Sequence, residues 1–367
     1  MTRRTAAVDD VRAALPGWVA TRVLVLVAWV ASRWWIDHER HGARPFVSVQ
    51  GLFAWDGAFY RDIATSGYGV QERQALRFFP LYSLAGRTLH HLLAISPDAA
   101  LLVITNVAAL AAGALIHRIT RMETGDSKAA RRAAWYVALV PPAFVLTWGY
   151  AEALFIALAA TTFVLLRREQ WGWAAVAGFA AALTRPTGVF LALAALIEAG
   201  RGVRRHRVGE LGPRSIAVAA PVAGALTYLW WVGHVYGDWK IPIDLQNGLR
   251  GGTSNPFIRV GEAASDLVHR DVHGLHFPFA IALVVLAVVV WQKLPLSYGV
   301  FSAAIVLTSL AAGNLNSIER YGLNAFPLVI ALALCTPTRF GERVTSAICA
   351  IGLVWMCALA WLAIYVP

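Results

Sequence analysis

Charged residues are scarce in this chain of 367 residues: they make up 14% of it, whereas hydrophobic residues make up 58%. A soluble domain has about 25% charged and about 45–50% apolar residues. The core of a soluble protein cannot absorb this excess, so the composition excludes an ordinary soluble domain and indicates an integral membrane protein. Cysteine is also scarce. The three cysteines have no metal-type spacing and are interpreted as packing residues in the last apolar segments: Cys335, Cys349 and Cys357.

Several signatures of soluble chemistry are missing. The glycine-rich stretch GLRGGTSNP lacks the Gly-Lys-Ser/Thr of a phosphate loop, and the chain has no DxD, HExxH or Ser-His-Asp signature. His269, His273 and His276 lie close together but without a recognised ligand spacing, so we expect no metal and no other cofactor. The net charge of +11 comes from short basic clusters between apolar runs, which predicts no nucleic-acid partner.

Long apolar runs dominate what is present. A helix needs about 20 apolar residues to cross the hydrocarbon layer, and somewhat fewer when neighbours shield it. Because the chain shows no internal repeat and no linker, we predict one all-α membrane domain over residues 1–367, a multi-helix bundle of about 11 crossing helices. The predicted crossing segments are 17–36, 99–118, 133–148, 150–166, 171–185, 187–200, 215–236, 277–292, 294–312, 323–336 and 344–365.

The basic clusters predict the orientation. If the N-terminal segment 1–16 is cytoplasmic, every short basic loop lies on the cytoplasmic side, as the positive-inside rule requires. Two long loops, 37–98 and 237–276, then lie outside and carry short amphipathic helices. We therefore expect a multi-pass protein of the plasma membrane, with any chemistry on its extracytoplasmic face.

Asp56, in the stretch FAWDGAFYRDIATSGYG, is the first candidate for chemistry. The apolar residues that follow it predict a short amphipathic helix at the outer membrane surface. Asp56 has two interpretations, as the N-cap of this helix or as a general base beside Trp55. Three further carboxylates are kept as reserve candidates: Asp62, Asp37 and Glu39.

Other charged and aromatic residues map to the same predicted face. Arg77, before a helix that follows Pro80, is either an interfacial anchor or a ligand for a lipid phosphate. A carboxylate in the first turn of an apolar helix, such as Glu152 in TWGYAEALF, is expected to face the protein interior. Arg185, an isolated charge, needs a partner, either that glutamate or an anionic substrate. The remaining predicted substrate-binding residues are Tyr150, Arg320 and Tyr321.

In this order and spacing, WDGAFYRDIATSGYG, RFFPLYS, GYAEALFIAL, LTRPTGV and ERYGLNAFPL resemble the PIG-V family of mannosyltransferases. The family commonly has proline where this chain has Ser83, and Arg-Ser-Asn-Gly where it has Arg-Pro-Thr-Gly from Arg185. The resemblance implies a GT-C glycosyltransferase with an extracytoplasmic site and a polyprenyl-phosphate-mannose donor. It also implies that Asp56 is the catalytic base. The Ala-, Arg- and Trp-rich composition is typical of a high-GC bacterium, and it suggests a glycolipid or lipoglycan of the membrane as the acceptor.

One carboxylate is enough for such a reaction, because a lipid phosphate leaves as an anion and needs no protonation. The alternative is a transporter or flippase for a lipid or a lipid-linked sugar. Transporters tend to carry ionisable residues near the midplane, on broken helices within inverted repeats. Here the charges lie at predicted outer helix ends, which favours the enzyme.

Overall fold

The computed structural model describes residues 3–39, 44–201, 211–269 and 272–367. In these ranges the chain forms α-helices joined by short 3-10 helices, and its β-structure is limited to an isolated bridge between Thr253 and Ala312. The architecture confirms the all-α membrane fold expected from the composition. The helical segments long and apolar enough to cross a membrane are Ala6–His38, Pro97–Thr124, Leu211–Tyr236, Gly274–Lys293 and Arg339–Trp361.

Each predicted crossing segment lies on helical structure. Several of these helices are shorter than a full crossing, because helices shielded by neighbours need less apolar length. The described α-helices are α1 (Arg3–His38), α2 (Phe46–Gln50), α3 (Asp56–Ser66), α4 (Leu81–Leu93), α5 (Pro97–Thr124), α6 (Ser127–Leu139), α7 (Glu152–Arg167), α8 (Trp171–Thr184), α9 (Leu191–Gly200), α10 (Leu211–Tyr236), α11 (Ile241–Leu249), α12 (Pro256–Val268), α13 (Phe277–Lys293), α14 (Leu296–Leu310), α15 (Ile318–Leu323), α16 (Pro327–Cys335) and α17 (Arg339–Trp361).

Helix α1 is longer than the segment 17–36 predicted from hydropathy. It contains 36 residues and, at about 1.5 Å per residue, is about 54 Å long. A hydrocarbon layer of about 30 Å cannot enclose it, so the helix continues beyond the apolar stretch through residues that hydropathy assigns to water. Pro16 lies inside the helix without ending it.

The first of two compact units comprises Met1–Gly67, Ser83–Ala153 and Leu332–Pro367. In it α1 packs against α5, α6 and α17. Small residues let these backbones approach closely: a Cβ added at Gly17 would lie 3.1 Å from the Cβ of Ala138, and one at Gly113 would lie 3.0 Å from that of Ala14. Such contacts favour helix association in lipid, where the hydrophobic effect does not drive it.

The second unit comprises Tyr68–Tyr82 and Leu154–Ala331. Its helices α8 and α10 pack along their length, and α14 packs against α9 and α13. A Cβ at Gly224 of α10 would lie 2.4 Å from the carbonyl oxygen of Phe179, so only glycine fits there. In the same unit, the aromatic ring of Phe163 packs against those of Tyr298 and Phe301.

Buried carboxylates in both units have cationic partners. In the first unit, Asp10 accepts hydrogen bonds of 2.7 Å from Nδ1 of His117 and from Nε of Arg118. In the second, Glu198 lies 3.3 Å from Nη1 of Arg167. Because a buried charge is costly unless it is paired, these contacts have a structural role.

Candidate functional site

The residues predicted to carry chemistry occur in both units. Those in the first unit are Trp55, Asp56, Tyr150, Glu152 and the reserve carboxylates Asp37, Glu39 and Asp62. Those in the second unit are Arg77, Arg185, Arg320 and Tyr321.

Asp56 begins helix α3, as the sequence predicted, but it is not the N-cap. The N-cap position belongs to Trp55, whose φ of 57° lies in the region that favours glycine. A non-glycine residue held there costs about 1–3 kcal/mol and persists only where its surroundings fix it. Strain therefore sits directly before Asp56, whose carboxylate lies in the first turn, where the helix dipole favours negative charge.

Hydrogen bonds hold the side chain of this strained residue and the backbone of the residue before it. The indole Nε1 of Trp55 donates to the carbonyl oxygen of Ala360 at 3.0 Å. The hydroxyl of Tyr150, which is fully buried, donates to the carbonyl oxygen of Ala54 at 3.2 Å. Tyr150 therefore supports the segment before Asp56, a role that the sequence did not assign to it.

Helix α3 buries one face within the first unit. Its buried residues are Gly57, Tyr60, Ile63 and Ala64. The predicted amphipathic helix therefore forms, but its inner face packs against protein, including helix α5.

The other carboxylates of the first unit differ in their surroundings. Glu152, at the start of α7, is fully buried, which confirms that it faces the interior. Asp62 and Asp37 are partly exposed and pair with Arg61 at 3.0 Å and with Arg44 at 2.8 Å. These surface pairs favour a role in anchoring the loop. Glu39 is exposed at the end of the described part of this loop.

In the second unit, three guanidinium groups surround the ring of Tyr321. Their Cζ atoms lie 4.3 Å (Arg250), 5.3 Å (Arg320) and 5.8 Å (Arg185) from the ring centroid. Arg185 and Arg320 are 7% and 3% exposed, so their charges are largely removed from water. The structure thus brings together three residues that the sequence predicted separately, Arg185, Arg320 and Tyr321. We call the three arginines and Tyr321 the arginine cluster.

Arg250 is the member of this cluster that sequence reasoning missed. It caps helix α11 and donates from Nη2 to the carbonyl oxygen of Ser309 at 3.3 Å. Burial lowers the pKa of its guanidinium, and the nearby charge of Arg320 lowers it further, against the opposing effect of Tyr321. The only sequence signal for Arg250 was an arginine beside two glycines, in the stretch GLRGGTSNP that lacks the residues of a phosphate loop.

Two loops far apart in sequence place Arg250 beside Tyr321. The backbone N–H of Gly313 donates to the carbonyl oxygen of Gly252 at 2.9 Å, and that of Asn314 donates to the carbonyl oxygen of Arg250 at 3.0 Å. A Cβ at Gly313 would lie 2.2 Å from the carbonyl oxygen of Gly251, so the close approach requires glycine.

A cavity of about 430 Å³ is linked to the arginine cluster by one of its lining residues, although no member of the cluster lines the cavity itself. Gln246, in its wall, donates from Nε2 to the Tyr321 hydroxyl at 3.3 Å. The cavity has four polar lining residues, Arg77, Gln246, Asn247 and Thr308, and an otherwise apolar wall formed by Phe79, Pro186, Val189, Val222, Ala225, Leu226, Leu229, Pro242 and Ile243. It combines a charged end with a wall suited to a hydrocarbon chain.

The histidine-rich stretch is only partly described. His276 is buried and its Nδ1 lies 2.7 Å from Oε1 of Glu319. His269 is exposed and bonds the carbonyl oxygen of Ser265, and the side chain of His273 lies outside the described residues. Within the part of the chain that the structure describes, no group of three or more His, Cys, Asp or Glu residues could hold a metal. The predicted metal independence stays a prediction.

No protein-family model and no curated protein matches the chain. Among solved structures, ArnT from Cupriavidus metallidurans bound to undecaprenyl phosphate is similar, with a TM-score of 0.52 and 14% identity over 90% of this chain. The oligosaccharyltransferase AglB from Archaeoglobus fulgidus, in complex with an inhibitory peptide and a dolichol-phosphate, has a TM-score of 0.44, 12% identity and coverage of 94% of this chain. The chain spans 62% of the length of ArnT and 55% of that of AglB. The ArnT likeness confirms the GT-C-type fold, and the PIG-V resemblance stays a prediction.

Proposed function

We propose that this protein is a glycosyltransferase that takes mannose from a polyprenyl-phosphate donor and transfers it to a hydroxyl of a glycolipid or lipoglycan on the outer membrane face. The observation that carries the proposal is the arginine cluster and its connection, through Gln246, to a cavity with an apolar wall. The chemistry of this pair of features fits an anionic head attached to a hydrocarbon chain.

The electrostatics of the cluster support an anionic ligand. Three cations within 6 Å of one ring repel one another, and the repulsion grows as water is removed. Arginine binds phosphate bidentately and carries its charge at any physiological pH. A phosphate at this position relieves the repulsion and gains charge-assisted hydrogen bonds. The fold shared with ArnT, a protein whose structure holds undecaprenyl phosphate, also supports this class of donor.

The proposed chemistry is a single displacement. The acceptor hydroxyl loses its proton to the Asp56 carboxylate and its oxygen attacks the anomeric carbon, while the bond to the lipid phosphate breaks. The electron pair leaves on the phosphate, where guanidinium groups stabilise the developing charge. Because attack and departure occur on opposite sides, the anomeric configuration inverts. No residue is needed to protonate the leaving group. Because guanidinium groups supply the positive charge at the phosphate, we propose that the reaction needs no metal.

Mannose as the donor sugar rests on the PIG-V resemblance of the motifs around Asp56, Arg77, Arg185 and Arg320. The extracytoplasmic orientation rests on the positive-inside rule.

The test is transfer of labelled mannose by the purified protein from polyprenyl-phosphate-mannose to a membrane lipid extract. Asp56→Asn is expected to lower the rate about 10²- to 10⁴-fold, the usual contribution of a general base. Asp62→Asn, which changes a carboxylate on the same helix, is the matched control and should retain activity. A wild-type rate in Asp56→Asn would remove that residue from the base role.

A second pair of variants tests the donor site. Arg250→Gln is expected to lower kcat/KM for the donor about 10²- to 10³-fold, as loss of one oxyanion-stabilising group does. Arg250→Lys keeps the charge and should retain part of the activity. Transfer from polyprenyl-phosphate-glucose alone would refute mannose as the donor sugar. Movement of the lipid-linked sugar across proteoliposomes without any transfer would favour the transporter alternative.

A further inference from the structure

A second cavity, of about 300 Å³, lies wholly within the first unit. Arg22 is its only charged lining residue. Its wall is formed by residues of α1, of the segment before α3, of the segment before α7 and of α17: Arg22, Val25, Leu26, Trp29, Gly51, Leu52, Thr147 and Trp361. None of these residues belongs to the unit that holds the arginine cluster.

Arg22 is held in this cavity by neutral groups. Its Nε and Nη2 donate to Oδ1 of Asn106 at 3.0 and 2.9 Å, Nη1 donates to the carbonyl oxygen of Trp18, and Nη2 also donates to that of Leu146. A guanidinium has five N–H donors, so these four bonds leave one donor on Nη1. Within the described ranges, no carboxylate lies within 4.0 Å of Arg22.

The position of Arg22 makes an anionic partner favourable. Arg22 lies inside the candidate membrane span Ala6–His38. A charge near the centre of such a span costs about 2.5–3.5 kcal/mol even on insertion scales. Elsewhere in this fold, buried charges are paired: Asp10 pairs with Arg118 and Glu198 pairs with Arg167. Arg22 has no carboxylate partner in the described chain.

Thr147 provides a second, independent observation. It is 7% exposed and is one of the residues that line the same cavity. Among the described residues this hydroxyl has no hydrogen-bond partner. A buried polar group without a partner costs about 1–3 kcal/mol. The residues that line the cavity therefore include one guanidinium with an unused donor and one hydroxyl without a partner, and both groups are suited to a phosphate oxygen.

The apolar wall of the cavity indicates that such a phosphate belongs to a membrane lipid. Leu26, in the cavity wall, is 61% exposed, and Val23 and Val30 of the same helix are 54% and 59% exposed. This apolar face of α1 borders the membrane rather than water. The cavity volume is about ten times the ~30 Å³ that a water molecule occupies in the liquid, enough for a phosphate and the first atoms of a chain.

We propose that this cavity binds the phosphate of a membrane lipid. Nη1 of Arg22 and Oγ1 of Thr147 donate to the phosphate oxygens, and the hydrocarbon chain leaves the cavity past Leu26. The site is separate from the proposed donor site and does not depend on transferase activity.

The test uses the full chain, purified in a neutral detergent and stripped of lipid. Phosphatidylglycerol is added, and binding is followed by native mass spectrometry and by the rise of the thermal unfolding midpoint. The wild type is expected to bind one molecule tightly. Arg22→Gln should weaken binding about 10- to 100-fold, the loss expected for a charge-assisted hydrogen bond. Arg12→Gln, which removes an exposed guanidinium from the same helix, should bind as the wild type does.

Two further ligands show whether the cavity recognises the phosphate, the hydrocarbon chains or both. Diacylglycerol has the chains without the phosphate and should not bind. Equal binding of diacylglycerol and phosphatidylglycerol would mean that the cavity binds only hydrocarbon chains, and it would overturn the proposal. Glycerol 3-phosphate has the phosphate without the chains and should bind at least 100-fold more weakly; equal binding would overturn the lipid part of the proposal.

Thr147→Val keeps the test decisive if Arg22→Gln does not fold. The Thr147 hydroxyl makes no hydrogen bond to the described protein, so its removal should leave the fold intact. The variant is expected to bind phosphatidylglycerol about 3- to 10-fold more weakly, as loss of a neutral hydrogen bond does. Wild-type affinity in this variant, or in a folded Arg22→Gln, would overturn the proposal.

Discussion

Replacing Asp10 with asparagine tests how the first unit uses buried charge. Asp10 is 1% exposed on α1, and it bonds His117 and Arg118 of α5 at 2.7 Å each. A third cation, Arg121, lies 4.0 Å away. The amide of asparagine still accepts one of these hydrogen bonds but carries no charge. Arg118 of α5 then loses its counter-ion, and one hydrogen-bond donor of His117 or Arg118 loses its acceptor in a buried site.

The expected loss of stability follows from this burial. Removing one partner of a buried ion pair costs about 3–5 kcal/mol. The side chain of Arg118 is 22% exposed and regains part of its hydration, which places Asp10→Asn at the lower end, about 3 kcal/mol. This free energy corresponds to a roughly 100-fold larger unfolding constant. Chemical unfolding of the purified protein in detergent, followed by tryptophan fluorescence, measures the change.

Asp9→Asn is the matched control, because Asp9 is the adjacent carboxylate and makes no ion pair or hydrogen bond within the described chain. Asp9 is half-buried, and because no ion pair or hydrogen bond holds its carboxylate in the described chain, the change should alter stability by less than about 0.5 kcal/mol. The double variant Asp10→Asn/Arg118→Gln should be more stable than the sum of the two single changes predicts, since neither charge is then left alone. Equal effects of Asp10→Asn and Asp9→Asn, or strict additivity, would refute the reasoning.

Two further outcomes are expected. Gly313→Ala places a Cβ 2.2 Å from the carbonyl oxygen of Gly251 and should separate the loop of Gly313 from that of Gly251. Limited trypsin digestion of this variant should therefore cut after Arg250. Gly261→Ala, with open space at its Cβ, is the control and should leave the digest unchanged. Cys335 is the exposed cysteine of the three. A membrane-impermeant maleimide should label it in permeabilised cells but not in intact cells, and the variant Cys335→Ser should not be labelled. Labelling in intact cells would reverse the predicted orientation.

The fold could be predicted because the membrane leaves the chain few options. Every backbone N–H and C=O in hydrocarbon must be satisfied internally, so a long apolar run in this composition is a helix. Helix ends were less predictable. Helix α1 begins at Arg3 although hydropathy marks only 17–36, because hydropathy detects the bilayer and not the continuation of a helix into water.

The candidate site was predictable only where local sequence carried the signal. Arg185, Arg320 and Tyr321 stand out as polar residues at the ends of apolar runs. Arg250 does not, because its place beside Tyr321 depends on backbone pairing between loops about sixty residues apart. A contact of this kind leaves no spacing pattern in a single sequence.

The partners of buried charges separate structural residues from candidate ligand-binding residues. Asp10 and Glu198 pair with cations, and each pair joins helices within its own unit. Arg22 and Arg250 differ, since within the described ranges neither has a carboxylate within 4.0 Å and each donates to neutral oxygens. A charge that the fold itself does not neutralise costs free energy in every state except the one with an anion bound. On that ground we propose that both arginines, one in each unit, bind anionic ligands. Arg22 lines an apolar cavity, and Arg250 is linked to one through Tyr321 and Gln246, so we propose an anionic lipid as the ligand in each case.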